Sequence, residues 1–189
     1  MIKFSCEKVF LQNAIAVTSR AVAQKSSIPA LEGLLLHADQ QLTISGYNMQ
    51  TGIRTNVFAN VVEGGDIVLN ARLFGDIIRR MPDDMITFTA DEKMMVHVSC
   101  GDADFDILGL SAADYPELPE VEDEYAVSMK QSVLRRMIEE VAFAVSTNES
   151  RPVHTGALFE IENMCLNMVA VDGFRFAFRR EKLEKLEGG

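Results

Sequence analysis

An amphipathic helix pattern that occurs three times constrains the fold more than any other feature of the chain. Residues 71–81 place apolar side chains at i, i+1, i+4, i+5 and i+8, the spacing of one buried helix face. These side chains are Leu73, Phe74, Ile77, Ile78 and Met81. The spacing returns over residues 129–140, and residues 7–25 begin it with Thr18 in the fifth position. The chain is therefore built from an internal repeat, which has to be recognised before a fold is assigned.

The sequence around each helix is repeated as well. A short strand-like stretch precedes each helix, namely "IKFSC", "DIVL" and "YAVSM", and three stretches of alternating apolar and polar residues follow it. Alternation with period two is typical of antiparallel strands that cover one face of a sheet. Each sheet has to bury that face under its helix. The sequence predicts an α+β fold of repeated βαβββ units.

Residues 111–124 interrupt the repeats. This segment, "SAADYPELPEVEDE", contains two prolines and six acidic residues. Proline removes a ladder hydrogen bond, and the charges resist burial. We therefore predict a first domain of two units over residues 1–110, an acidic linker over 111–124 and a second domain over 125–189. Because the second domain holds only one unit, we expect this chain to be part of a longer protein.

The distribution of charge is uneven. The chain has 18 basic and 28 acidic residues, a formal net charge of −10. The three predicted helices together carry +5, which leaves −15 for the rest. Helices that cover sheets with one face turn a mildly basic face outward, where Lys and Arg could contact phosphates without reading a base. The alternative is that these side chains are ordinary solvated residues, since Arg near a helix C-terminus also suits the helix dipole.

Five segments make the chain resemble a known family, the bacterial beta sliding clamps, which are processivity subunits of DNA polymerase III. The segments are "IPALEGLLL" at 28–36, "ARLFGDIIRRMP" at 71–82, "LSAADYPELP" at 110–119, "RPVHTGALFEIE" at 151–162 and "VAVDGFRFAFR" at 169–179. "SAADYP" and "DGFR", in this order and spacing, are the most specific. The resemblance covers all 189 residues, but only about half of the family's usual chain. It implies the DNA clamp fold, with antiparallel sheets outside and helices on the inner face.

The resemblance also implies a function and a DNA-contacting surface. In the family, two subunits of three domains close a ring around duplex DNA, with helices lining the hole. Lys25 and Arg72 fall at positions where the family has DNA-contacting basic residues. Five further residues are assigned to DNA from their charge and helix position: Arg20, Arg79, Arg80, Arg135 and Arg136.

Two protein interfaces are implied in the same way. The first is an apolar cleft that binds short linear peptides of the polymerase III alpha subunit, the clamp loader and other replication and repair proteins. Its matching positions are Arg151, Val153, His154, Thr155, Gly173, Phe174, Arg175 and Phe176. The family supplies the other wall of this cleft from its third domain. The second interface joins the subunits of the homodimer along the strand that carries Phe105 and Ile107.

The residues do not suggest a catalytic, metal or cofactor site. No nucleophile elbow, P-loop or dinucleotide fingerprint occurs. An EF-hand loop starting at Asp102 would need Gly and Glu where the chain has Ile107 and Ala113. Three distant cysteines fit reduced thiols, and no apolar run suggests a signal peptide or a membrane span. We therefore expect a cytoplasmic, non-catalytic protein. The alternative is a small α+β oligomerisation or regulatory module that does not bind DNA.

Overall fold

A computed structural model describes residues 1–120 and 126–187, the last of these by its backbone alone. The chain divides into two compact units, Met1–Pro119 and Glu120–Gly189. Each unit is described separately below.

Unit 1, Met1–Pro119, consists of nine strands and two α-helices. In chain order they are β1 Ile2–Glu7, α1 Lys8–Thr18, β2 Gly33–Ala38, β3 Leu42–Tyr47, β4 Gly52–Val57, β5 Asn60–Glu63, β6 Gly65–Asn70, α2 Ala71–Arg80, β7 Met85–Ala90, β8 Met95–Cys100 and β9 Ala103–Leu108. Two βαβββ repeats are present, as the sequence predicts: β1-α1-β2-β3-β4 and β6-α2-β7-β8-β9. Strand β5 lies between them and was not anticipated.

The two repeats of unit 1 exchange their first strands. One antiparallel sheet has the order β5-β1-β7-β8-β9, so the strand that precedes α1 joins the sheet of the second repeat. The other sheet has the order β4-β3-β2-β6, so the strand that precedes α2 joins the sheet of the first repeat. Neither repeat completes its own sheet, and the two repeats therefore fold as one domain.

The core of unit 1 lies where the helices meet the two sheets. Phe4 stacks on Phe88 with ring centroids 4.6 Å apart, and Phe74 of α2 meets the Phe88 ring edge-on. The helices also pack on each other, since a Cβ on Gly75 would lie 3.3 Å from the side chain of Ile15. This close approach fixes which faces of α1 and α2 remain exposed.

Helix α1 is shorter than predicted. The pattern predicts a helix over 7–25, but α1 ends at Thr18 and a short 3-10 turn follows over Ser19–Ala21. The buried Thr18 hydroxyl donates to the Ala14 carbonyl at 2.7 Å, a bond that competes with the backbone ladder. The chain then turns, and the Ala23 amide donates to the Leu31 carbonyl at 3.0 Å. The other two helices lie within two residues of their predicted bounds.

The first part of the predicted linker belongs to unit 1. Ser111 accepts the Ala113 amide and begins a 3-10 turn over Ala112–Asp114. Tyr115 is buried beneath this turn, and its hydroxyl donates to the Ser45 carbonyl at 3.3 Å. The structure thus places residues 111–119 on the first domain and not in a solvated linker. Residues 121–124 of that segment lie outside the described residues.

Unit 2 contains one repeat and a further strand. Its elements are β10 Ala126–Ser128, α3 Gln131–Val141, β11 Leu158–Glu162, β12 Cys165–Val171, β13 Phe176–Lys182 and β14 Lys185–Glu187. The sheet β11-β12-β13 packs under α3, whose Met137 and Val141 meet Leu166, Met168 and Ala170. Strand β10 pairs with β14 in a separate two-stranded ladder.

None of the helices within the described residues has the length and apolar character required to cross a membrane.

Candidate nucleic-acid and peptide interfaces

Two predicted DNA-contacting arginines line a groove between α1 and α2. Arg72 and Arg79 stand on one side of this groove, and Gln12, Ala16 and Ser19 form the other. Asn70 sets the start of α2 because its side-chain oxygen accepts the Leu73 amide at 3.0 Å. Arg72 and Arg79 are seven positions apart, or two helical turns, and so project from the same face. We call this feature the α1–α2 groove.

The segment that follows α1 brings two more cations to the same end of unit 1. A second hollow is lined by Ser19 and Gln24 on one side and by Asn70 and Arg72 on the other. Arg20 and Lys25 are the chain neighbours of Ser19 and Gln24, and both are exposed. The early end of α1 therefore matters for the site, because the turn that replaces the predicted helix brings Ser19 and Gln24, the neighbours of Arg20 and Lys25, to the hollow that Arg72 also lines.

Most of the unit 1 cations have no acidic partner. Arg20, Lys25, Arg72 and Arg80 are exposed, and no carboxylate of the described part of the chain lies within 4.0 Å of them. Arg79 is paired with Asp76 at 2.8 Å, but both side chains remain largely exposed. An exposed pair of this kind contributes at most about 1 kcal/mol. A phosphate could therefore replace Asp76 as the partner of Arg79 at little cost.

One basic residue of α1 does not belong to this surface. Lys8 contributes to the positive charge that the sequence assigns to the first helix. In the structure it is buried, and its Nζ lies 2.7 Å from the Oδ1 of Asp83. The basic face of α1 is therefore confined to its C-terminal end.

The two predicted DNA-contacting arginines of unit 2 are both paired with acids. Arg135 donates to Glu139 at 3.0 Å. Arg136 lies 3.4 Å from Glu181 and 4.0 Å from Glu140. Both arginines are exposed, yet each positive charge is balanced locally. The basic outward face expected of all three helices is thus strongest on unit 1 and weak on α3.

The predicted peptide-binding residues divide into two groups. Five of the eight, Arg151, His154, Gly173, Phe174 and Arg175, line one open hollow of unit 2. Val153, Thr155 and Phe176 do not line it. Val153 and Phe176 are strongly exposed beside it, and the Thr155 hydroxyl donates to the Pro152 carbonyl at 2.8 Å within the turn. The structure brings together most of the residues that the resemblance implied.

A tight turn at Asp172 shapes this hollow. The Asp172 Oδ1 accepts the amides of Phe174 and Arg175 at 2.9 and 2.7 Å, and Gly173 takes the left-handed conformation at φ +94°. The other carboxylate oxygen accepts the Arg175 guanidinium at 2.6 Å. The Arg175 amide, the Phe174 amide and the Arg175 side chain lower the pKa of Asp172 to about 2. The turn leaves the Phe174 ring fully exposed.

Sequence reasoning missed the second wall of the hollow. It is formed by Val145, Ser146, Thr147, Asn148 and Ser150, with Asp172 at its base. The Ser146 amide donates to the His154 carbonyl at 2.9 Å and fastens this loop to the rest of the wall. The loop has no apolar periodicity, so no pattern pointed to it. The Asp-Gly pair at 172–173 is the one sequence signal that could have identified the turn at this hollow.

The predicted subunit interface lies on an edge strand, and its two residues differ in exposure. Strand β9 is at the edge of its sheet. Phe105 is 41% exposed, whereas Ile107 belongs to the core of unit 1. Ile107 therefore holds β9 on its own sheet, and Phe105 is the residue of the pair that another chain could contact.

The histidines do not form a ligand set. His97 pairs with Asp106 across two neighbouring strands at 2.8 Å, and His37 pairs with Asp66 on the other sheet. No group of three or more His, Cys, Asp or Glu residues that could hold a metal ion occurs in the described ranges.

Comparison with known proteins gives matches to one family over nearly all of the chain. Residues 2–119 match the family model of the DNA polymerase III beta subunit, N-terminal domain, and residues 128–188 match the central domain of the same subunit. The chain is 34% identical over 188 residues to the beta sliding clamp of Halalkalibacterium halodurans, covering 94% of this chain and 49% of that protein. It is 29% identical to the beta sliding clamp of Bacillus subtilis, covering 97% of this chain and 51% of that protein.

Solved structures of beta subunits also resemble this chain in fold. A putative DNA polymerase III beta subunit from Eubacterium rectale superposes with a TM-score of 0.92 at 31% identity, over 98% of this chain and 51% of that chain. The DNA polymerase sliding clamp from Bacillus subtilis gives the same TM-score at 28% identity, over 97% and 51%. The chain spans about half the length of the curated relatives it matches. It belongs to the DNA polymerase III beta subunit family and matches that family's N-terminal and central domains.

Proposed function

We propose that this chain is part of a sliding clamp, a non-catalytic processivity factor that encircles duplex DNA and tethers the replicative polymerase in the bacterial cytoplasm. The α1–α2 groove is the observation that carries this proposal. It places Arg72 and Arg79 on one exposed face, and Arg20 and Lys25 adjoin Ser19 and Gln24, which line the second hollow together with Arg72. The surplus of acidic residues lies elsewhere in the chain. Family membership supports the same conclusion.

Such a surface suits sliding. Contacts between Arg or Lys and phosphate carry no sequence information, so every register along the duplex is equivalent. A closed ring retains the DNA by topology, and the contacts themselves can remain few and weak. The complete ring needs a second subunit and further domains, as the family resemblance implies for a homodimer. This chain would contribute the basic helices of its first domain to the inner wall.

The salt dependence of DNA binding tests this proposal. The affinity of the 189-residue chain for a fluorescent duplex is measured by anisotropy over a series of salt concentrations. We expect log K to fall linearly with log salt, with a slope of about −0.9 for each phosphate contacted. Duplexes of unrelated sequence should bind equally well. An affinity that is independent of salt would contradict phosphate-based binding and would favour the regulatory module.

We also propose that the hollow of unit 2 forms one wall of a peptide-binding cleft. The exposed Phe174 and Val153 could contact apolar side chains of a linear motif, and Arg175 and Arg151 could meet its backbone or a carboxylate. The polymerase III alpha subunit and the clamp-loader subunits are the proposed source of these peptides. The third domain of a complete subunit would supply the opposite wall.

Because one wall is missing, this chain should bind such peptides weakly. We expect a Kd above about 100 μM. A peptide on an open surface loses conformational freedom, but one of its sides stays in contact with water and contributes little to binding. Isothermal titration with a polymerase-derived peptide measures this, and Phe174→Ala should reduce the binding further. Leu158→Ala, on the exposed strand β11 and outside the hollow, is the control. A Kd at or below about 1 μM would show that this single wall is sufficient.

A further inference from the structure

An acidic residue lies in the basic hollow of unit 1. Glu32 lines the same hollow as Gln24 and Arg72. It is the last residue of the 3-10 turn Pro29–Glu32 and is partly buried. No Lys, Arg or His of the described part of the chain lies within 4.0 Å of its carboxylate. Because a negative charge at this place opposes the phosphates that Arg72 would contact, the position of Glu32 calls for a physical explanation.

The Glu32 carboxylate accepts a hydrogen bond from the segment that carries Lys25. Its Oε1 accepts the Ser26 amide at 3.1 Å. Ser26 directly follows Lys25, and its hydroxyl in turn accepts the Ile28 amide at 3.1 Å. A hydrogen bond to an ionised acceptor is roughly twice as strong as one between neutral groups. The carboxylate therefore holds the backbone one residue away from a side chain that would contact DNA.

Packing holds only the two ends of this segment. Residues 22–28 form neither α-helix nor strand. Ala23 and Ile28, one near each end, pack against the small core that contains Leu31. The Ala23 amide also donates to the Leu31 carbonyl at 3.0 Å. Between these two anchors Lys25 is exposed, and the hydrogen bond from the carboxylate restrains the chain at that point.

The backbone that carries Glu32 is itself firmly packed. Ala30 and Leu31 of the same 3-10 turn are buried. Gly33 follows, and a Cβ at this position would lie 2.9 Å from the Leu69 carbonyl oxygen. The chain thus meets β6 too closely for any side chain at residue 33. Glu32 therefore extends from a rigid turn and can restrain a neighbouring segment that has little packing of its own.

We propose that Glu32 is a positioning residue for DNA binding, and that its bond to Ser26 holds Lys25 ready to contact a phosphate. This role rests on the proposed function of the α1–α2 groove and its surroundings. A side chain that is held in advance loses less conformational freedom when DNA binds. The same carboxylate repels phosphate, so its two effects on DNA affinity have opposite signs. We expect the positioning effect to be the larger one.

Two variants separate the hydrogen bond of Glu32 from its charge. Glu32→Gln removes the charge and keeps an oxygen that can accept the Ser26 amide. Glu32→Asp keeps the charge, but its side chain is one methylene shorter and does not reach Ser26. We expect Glu32→Gln to bind a fluorescent duplex at least as tightly as the wild type, and Glu32→Asp to bind about three- to tenfold more weakly at low salt. A purely electrostatic role would leave Glu32→Asp unchanged.

Two further measurements accompany the affinities of the 189-residue chain. Loss of the Lys25 contact should reduce the salt slope by about 0.9 in Glu32→Asp, whereas Glu32→Gln should keep the wild-type slope. Amide hydrogen exchange at Ser26 should be faster in Glu32→Asp than in the wild type. Glu92→Gln removes one negative charge from the exposed β7–β8 hairpin and is the control for net charge. Circular dichroism confirms that each variant is folded.

A double-mutant cycle shows whether Glu32 acts through Lys25. In a Lys25→Ala background, Glu32→Asp should cause no further loss of affinity, because both changes remove the same phosphate contact. An equal loss with and without Lys25 would overturn the positioning role. So would a Glu32→Asp variant that binds like the wild type, or a Glu32→Gln variant that binds more weakly. These results would leave the proposed function intact, provided that the wild type binds duplex in a salt-dependent way. A wild type that binds no duplex would instead overturn the proposed function and the role of Glu32 with it.

Discussion

At the scale of single residues, Tyr115 shows where reasoning from sequence failed. The prolines and acidic residues around Tyr115 are typical of a solvated linker, and they led to that prediction for residues 111–124. The Tyr115 ring is nevertheless buried in unit 1 beside Tyr47 and Leu31. The free energy gained by burying the ring exceeds the conformational entropy lost when its few polar neighbours become ordered. Periodicity could not reveal this, since a single anchoring side chain has no period. By contrast, an Asp-Gly pair such as Asp172 and Gly173 is typical of a turn by residue identity alone, and the structure shows that turn.

The titration of Tyr115 provides a residue-scale prediction. Burial raises the pKa of Tyr115 to about 12, from an ordinary value of 10.0. The folded state therefore favours the neutral phenol. Its contribution to the free energy of unfolding is complete below about pH 10 and is lost as the pH rises towards 12. Absorbance of tyrosinate during an alkaline titration measures this, and the last step should disappear in Tyr115→Phe. A Tyr115 midpoint near 10 would show that residues 111–119 do not pack on unit 1.

At the scale of secondary structure, the helices and most strands could be predicted, and their pairing could not. Apolar periodicity located α2 and α3 within two residues of their observed bounds. It could not indicate that β1 joins β7 or that β6 joins β2, because a strand's pattern gives its buried face and not its neighbour. The end of α1 was also missed, since Thr18 fits the apolar stripe while its hydroxyl donates to the Ala14 carbonyl. The arginines could be proposed from the sequence because a basic residue is recognised by its type, whichever strands pair and wherever α1 ends.

The cap of α2 provides a prediction at this scale. Asn70 accepts the Leu73 amide and satisfies one of the free donors at the start of the helix that carries Arg72 and Arg79. Asn70→Ala should lower the free energy of unfolding by about 1 kcal/mol, the usual cost of losing an N-cap. Urea denaturation measures the change. Asn70→Asp, which keeps an acceptor next to the helix N-terminus, should remain close to the wild type. Equal losses in both variants would show that the cap is not the cause.

At the scale of the whole molecule, the account depends on how charge is distributed. The chain is acidic overall, whereas Arg20, Lys25, Arg72 and Arg80 of unit 1 are exposed with no carboxylate of the described residues within 4.0 Å, and Arg72 lines the α1–α2 groove. The arginines of α3 are balanced by glutamates. The first domain should therefore supply most of the phosphate contacts made by this chain. An acidic exterior limits association elsewhere with nucleic acid, so binding becomes confined to one face.

Charge reversal in the α1–α2 groove tests this account most directly. Duplex binding by the 189-residue chain is compared with binding by Arg72→Glu and by Lys93→Glu, which makes the same change of net charge in the β7–β8 hairpin outside the groove. We expect Arg72→Glu to weaken binding by about tenfold at low salt and to reduce the salt slope by about 0.9, the value for one phosphate contact. Lys93→Glu should change both much less. Equal losses in the two variants would show that the chain responds to net charge alone, and the groove would then have no special role in holding DNA.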